Sequence, residues 1–212
     1  MKKLSLFAFL FLILLTNSIF GQAQELSATA KHLESKVTEG NYDAILEAGN
    51  SGDLSLIPYL KKLASNTKAR NNSNAPAFQA HIALAMLGDN EALQQILADI
   101  DANDPDVQDN GMKKLSIVGG DEAFKKFYQL LDDAAPRENP DCKKNAQKFV
   151  ENNKDKNCGL CCDVIFFPRN SMAIYYLSGM VDNPPTERFV PGTEKNISIW
   201  KEWFKINKPY IQ

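Results

Sequence analysis

Four cysteines, Cys142, Cys158, Cys161 and Cys162, fall in one short stretch, three of them in the run Asn157-Cys158-Gly159-Leu160-Cys161-Cys162. Thiols so placed have three chemistries open to them. An even set in an oxidising compartment points first to disulfides. Two bridges across a core-poor segment would each stabilise it by about 2–4 kcal/mol by restricting the unfolded chain. Cys142 bridging Cys161 or Cys162, with Cys158 taking the other, is the favoured arrangement, because a bridge between the adjacent Cys161 and Cys162 closes a small, strained ring. The second chemistry is metal binding. Zinc asks for four thiolates in a tetrahedron, usually from two separated pairs, whereas here Cys142 stands alone. The third is a redox dithiol at Cys158 and Cys161. Active examples open a helix within a βαβ unit, and no strand–helix alternation surrounds this pair.

The remaining chemical groups point away from catalysis. His32 and His81 are the only histidines. His81 shares a helical face with Phe78, Ile82 and Ala85, the setting of a core or groove-lining residue. Neither histidine has a recognisable nucleophile motif beside it. Asp99, Asp101, Asp104 and Asp106 resemble a calcium loop but lack its central glycine and closing glutamate, so they are expected to cap helices. Gly119-Gly120 reads as a helix-to-helix turn and not as a phosphate loop. No cofactor or metal is expected, and the chain does not read as an enzyme.

The N-terminus sets the compartment. Lys2 and Lys3 precede an apolar run from Leu4 to Leu15, and Gly21-Gln22-Ala23 offers a small-x-small cleavage site. This is the pattern of a secretory signal peptide over residues 1–23. The run is too short for a membrane span, which needs about 20 apolar residues. Cleavage removes two lysines and moves the formal charge from −2 to −4. Mild acidity argues against a nucleic-acid partner, which calls for a basic stripe. The expected product is exported, periplasmic or secreted, with no stable membrane insertion.

The elements that carry these residues follow a repeated phrase: an apolar helical run, a Gly-Asp turn, then a second run. The phrase spans residues 75–100 and 104–133, with a fainter copy over 42–64. In each, an Asp (Asp53, Asp89) or an Asp-Pro (Asp104-Pro105) stands where a helix should start. Pro58 predicts a late or bent start for the run after Asp53. Leu93, Ile96, Leu97 and Ile100 make one apolar face, and Val107, Gly111, Leu115 and Val118 another. Asn139-Pro140-Asp141 predicts a further helix to about Val150, where the period ends. Beyond it, helices are expected over 171–181 and from Thr193 to Ile206, the latter with two apolar stripes and therefore largely buried. Phe166, Phe167, Tyr175, Tyr176, Trp200, Trp203, Phe204 and Tyr210 are expected to cap the open apolar end of the array.

The phrases resemble HEAT repeats, the helical hairpins of α-solenoids. The residues that carry the resemblance are Ala83-Leu84-Ala85-Met86-Leu87-Gly88-Asp89 with Glu91-Ala92-Leu93, the opening Asp104-Pro105-Asp106-Val107, and residues 115–121 with Glu122-Ala123-Phe124. Gln108 departs from the basic residue many such repeats carry after that valine. The resemblance covers roughly residues 42–133 and implies a scaffold or interaction surface with no fixed ligand. The expected fold is all-α: a short right-handed α-solenoid of stacked hairpins over 24–150, followed by an irregular cysteine-stapled segment and capping helices over 151–212 in the same domain. The expected function is a non-enzymatic exported scaffold that binds a protein or peptide on its concave helical face, with Lys61, Gln94, Gln95, Lys125 and Lys126 as surface candidates. The alternative is a thiol redox or metal-binding protein using the cysteine run.

Thiol titration of the exported, denatured protein without reductant is expected to find no free cysteine. Two or more titratable thiols would favour the redox or metal chemistry instead.

Overall fold

Capping residues and prolines decide where the helices of this chain begin. In a computed structural model, which describes residues 27–135, 137 and 167–211, nine α-helices and no strand occur among the described residues. They are α1 (Ala28–Thr38), α2 (Asp43–Asn50), α3 (Ile57–Ala64), α4 (Pro76–Met86), α5 (Asn90–Ile100), α6 (Pro105–Val118), α7 (Gly120–Leu130), α8 (Arg169–Met180) and α9 (Glu194–Asn207). The side chains of Ser27, Asp89, Asp104 and Thr193 accept hydrogen bonds from the first free N–H groups of α1, α5, α6 and α9. Those donors have no partner inside the helix, so each cap meets a need the helix cannot meet itself. Pro58 acts as expected. A 3-10 turn, Leu54–Leu56, fills the space after Asp53, and α3 starts only at Ile57.

The centre of the molecule is α4. Ala77, Phe78, Ala80, Ile82, Ala83, Leu84 and Ala85 are all buried, so this helix is apolar on nearly every side. It packs against α2, α3, α5 and α6. Small residues permit the close approach. A Cβ on Gly49 of α2 would lie 2.7 Å from Ala83 Cα. A Cβ on Gly111 of α6 would lie 2.8 Å from the Ile100 backbone nitrogen and 3.0 Å from Asp99 Cβ. Beyond α6, α8 packs on both α6 and α7, and α9 on α8.

Aromatic rings close the C-terminal end. Trp200 and Phe204 of α9 are fully buried. Phe204 meets Tyr128 and Phe124 edge-on, at 5.0 and 6.2 Å between ring centres. Such pairs add roughly 0.5–1.5 kcal/mol beyond their buried area. The expectation that α9 is largely buried is corrected. Its Trp200–Phe204 stripe is inside, but Ile206, on the second stripe, is 71% exposed. α9 packs on α8 and, through Phe204, on the rings of α7, so the side that carries Ile206 is left in solvent. The predicted signal peptide, the helix expected over 139–150, Phe166 and all four cysteines lie outside the described residues.

Gly111→Ala is expected to destabilise the protein by about 1–3 kcal/mol, because the added methyl meets backbone that cannot move alone. Urea denaturation measures this. An unchanged or raised midpoint, as helix propensity by itself predicts, would contradict the tight α5–α6 contact.

Candidate functional site

Lys114 has no solvent exposure, yet it carries an ammonium group. Its Nζ donates to Asp99 Oδ2 at 3.1 Å and, more weakly, to Asn71 Oδ1 at 3.4 Å. It also stands 5.0 Å from the centre of the Phe78 ring. Asp99 is equally buried, and its Oδ1 accepts from Arg70 Nη2 (3.0 Å) and Gln95 Nε2 (3.2 Å). A buried carboxylate with four lone-pair sites is tolerable only when so surrounded. Burial pushes the Lys114 amine below its ordinary value, against the pull of Asp99. The expectation that Asp99 caps a helix along with its acidic neighbours is therefore corrected, although Asp104 does cap α6. Asp101 binds Lys126 and Arg169. No group of three or more metal-ligating side chains occurs among the described residues.

A cavity of about 240 Å³ borders this cluster between α3, α4 and α5. Lys61, Ser65, His81, Asp89 and Gln95 line it. His81 is thus a wall residue of a groove. Burial, with the Lys114 and Arg70 cations, holds its imidazole below the ordinary 6.5, and its Nδ1 is buried without a hydrogen-bond partner. Lys61 binds Asp89 at 2.9 Å. Burial opposes the charge on Asp89, but the Lys61 contact and the Ala92 N–H hold its carboxyl below the usual range. Ser65 donates its hydroxyl to the Lys62 carbonyl (2.7 Å) and is not poised towards His81. Among the described residues no hydroxyl hydrogen-bonds to His81 Nδ1.

The five predicted surface residues divide. Lys61, Gln95 and Lys126 hold carboxylates of their own chain, whereas Gln94 and Lys125 are exposed on α5 and α7. Lys61 and Gln95 share the α3–α5 cavity, and Lys126 reaches Asp101 at the end of α5.

A second, larger concavity of about 460 Å³ lies along α8. Phe167, Met172, Tyr175, Tyr176, Phe189 and Val190 supply its apolar wall. The aromatics predicted to cap the array therefore separate: Trp200 and Phe204 are buried in the core and Trp203 is half-buried, Phe167, Tyr175 and Tyr176 line this groove, and Tyr210 is exposed. Phe189 and Arg188 were not singled out from the sequence, because they lie in an irregular loop without periodicity.

The low basicity of His81 fixes a sign. The unfolded chain takes up a proton near pH 6.5, and the folded chain does so only at lower pH. Stability is therefore expected to fall as pH drops from about 7 towards 5, the unfolded state binding more protons. His81→Gln should flatten this slope in the denaturation midpoint. Equal slopes in wild type and His81→Gln would refute the assignment.

The chain matches no family model, no curated protein and no solved structure.

Proposed function

We propose that the chain is a non-enzymatic, exported interaction scaffold that binds a protein or peptide on the surface formed by α3, α5 and α7. The observation that supports it best is the order of contacts. α4 and α6 sit between successive neighbours, and α3, α5 and α7 pack mainly against these and α8, with their outer sides in solvent. That order suits stacked HEAT-like hairpins in a short right-handed α-solenoid, whose second helices present one continuous face. Export rests on the Lys2-Lys3 leader, its apolar run and the site at Ala23.

Three of the candidate residues hold neighbouring helices in register, so the contact to a partner falls chiefly to Gln94 and Lys125. An exposed amide and an exposed ammonium suit a polar rim around a contact and do not discriminate strongly by themselves. The α3–α5 cavity, walled by His81 and Gln95, would take a partner side chain between them.

The test is position-specific photocrosslinking in an exporting host. A photoreactive residue at Gln94 or Lys125 is expected to trap one discrete partner. The same residue at Glu47 or Lys113, exposed positions of α2 and α6, should not. Equal yields from both sets would remove the second-helix surface from consideration.

A further inference from the structure

The groove along α8 combines an apolar wall with one cation, Arg188, that pairs with no carboxylate among the described residues. Phe167 and Phe189 are 63% and 84% exposed, which for phenylalanines at the rim of a concavity is a large area left in water. Arg188 lines the same groove, 4.4 Å from the centre of the Tyr175 ring. Its guanidinium lies against α8 beside Gly179, where an added Cβ would be in ordinary contact with it at 3.4 Å. Among the described residues no carboxylate pairs with Arg188, its neighbour Glu187 included, and none lines the groove. In a chain whose net charge is negative, and whose other cations at helix contacts mostly hold carboxylates, this is an exception.

The groove is also built beforehand. The loop that carries Arg188 and Phe189 is pinned to the start of α8. Gly192 N–H donates to Ser171 Oγ at 2.9 Å, and the buried Asn170 donates through Nδ2 to the Gly192 carbonyl at 3.2 Å. On the opposite wall Tyr176 reaches the Asp109 carbonyl at 3.5 Å, and burial raises its phenol, which stays neutral. A ligand entering here orders little that is not already ordered.

We propose that this groove binds a small amphipathic carboxylate, an acyl or aryl acid whose apolar body lies among Phe167, Tyr175 and Phe189 and whose carboxylate pairs with Arg188. Three observations select that class. The volume of about 460 Å³ falls within the roughly 300–1,000 Å³ of small-molecule sites. A docked protein would need about 800 Å² of its own surface, far more than this concavity offers. Guanidinium matches a carboxylate with two parallel N–H···O bonds, and does so more strongly where apolar walls displace water. The site is separate from the α3, α5 and α7 surface, and neither proposal depends on the other.

Isothermal titration of the full chain with decanoate and with decan-1-ol tests it. Decanoate is expected to bind about tenfold or more tightly than the alcohol, the scale of one charge-assisted pair. Arg188→Gln should abolish this preference while leaving alcohol binding in place, and Phe189→Ser should weaken both ligands together. Thermal melts of both variants report whether they remain folded. Equal affinity of wild type for acid and alcohol, an acid preference that survives Arg188→Gln, or no binding of either ligand overturns the proposal. So does tighter binding of an apolar peptide with the same free carboxylate, which would make the occupant a peptide.

Discussion

A fully buried ammonium must be matched by a carboxylate, and much of this fold is arranged around that requirement at Lys114. Taking both charges out of water costs several kcal/mol for each ion, and a pair recovers this only with good geometry and further hydrogen bonds. The Asp99 carboxylate meets the condition by gathering Lys114, Arg70 and Gln95. These partners come from α5, α6 and the loop between α3 and α4. Their convergence fixes how those segments lie against one another. Gly111 is what makes the match possible. One turn before Lys114, it lets α6 approach the Ile100 backbone closely enough for the lysine to reach Asp99. Apolar contacts alone would hold these helices together but tolerate a slipped register. A displaced Lys114 would be a buried charge without a counter-ion, so slippage is penalised.

The same logic continues in weaker form towards the C-terminus. Asp101 at the end of α5 receives Lys126 from α7 and Arg169 from α8. Arg169 also pairs with Asp133, and Lys201 of α9 with Asp132. These pairs are partly exposed, and each contributes on the order of 0–1 kcal/mol. They set orientation while the aromatic cluster of Phe124, Tyr128, Trp200 and Phe204 supplies the bulk of the burial. The molecule thus changes its means of cohesion along its length: small-residue packing around α4, a buried charge cluster at α5–α6, and rings between α7 and α9.

What the sequence revealed tracks which of these means leaves a periodic trace. Asp-capped starts, the Pro58 delay and the apolar faces of α4 and α5 were legible because local rules fix them. Lys114 and Asp99 were hidden by the habit of reading charge as surface. A signal was present. Asp99 stands three residues after Ile96 and Lys114 three after Gly111, each on the apolar stripe of its helix, on consecutive helices and with opposite sign. Two such interruptions facing each other are more economically explained by pairing than by two exposed sites. The α8 groove left no such trace, since its wall joins a helix to a loop that returns from Gly179 to Gly192 by hydrogen bonds no pattern encodes. Ile206 failed differently: two apolar stripes state what could be buried, and the number of neighbouring helices decides what is.

The two unusual cations of this protein have opposite meanings, and accessibility separates them. Lys114 carries the perturbed basicity that often marks an active group, but it has no exposure and three polar neighbours around its carboxylate partner, so its perturbation is the consequence of holding helices together. Arg188 stands in the opposite position: reachable, stacked on one ring and without a carboxylate among the described residues. A folded chain leaves a cation unmatched at an apolar surface only where water, or something arriving from it, can serve as the partner. With Asn170 and Ser171 holding the loop in place, the cost of ordering that partner's site has already been met in folding. The charge that is satisfied therefore accounts for the architecture, and the charge without a carboxylate among the described residues is the one we propose a ligand meets.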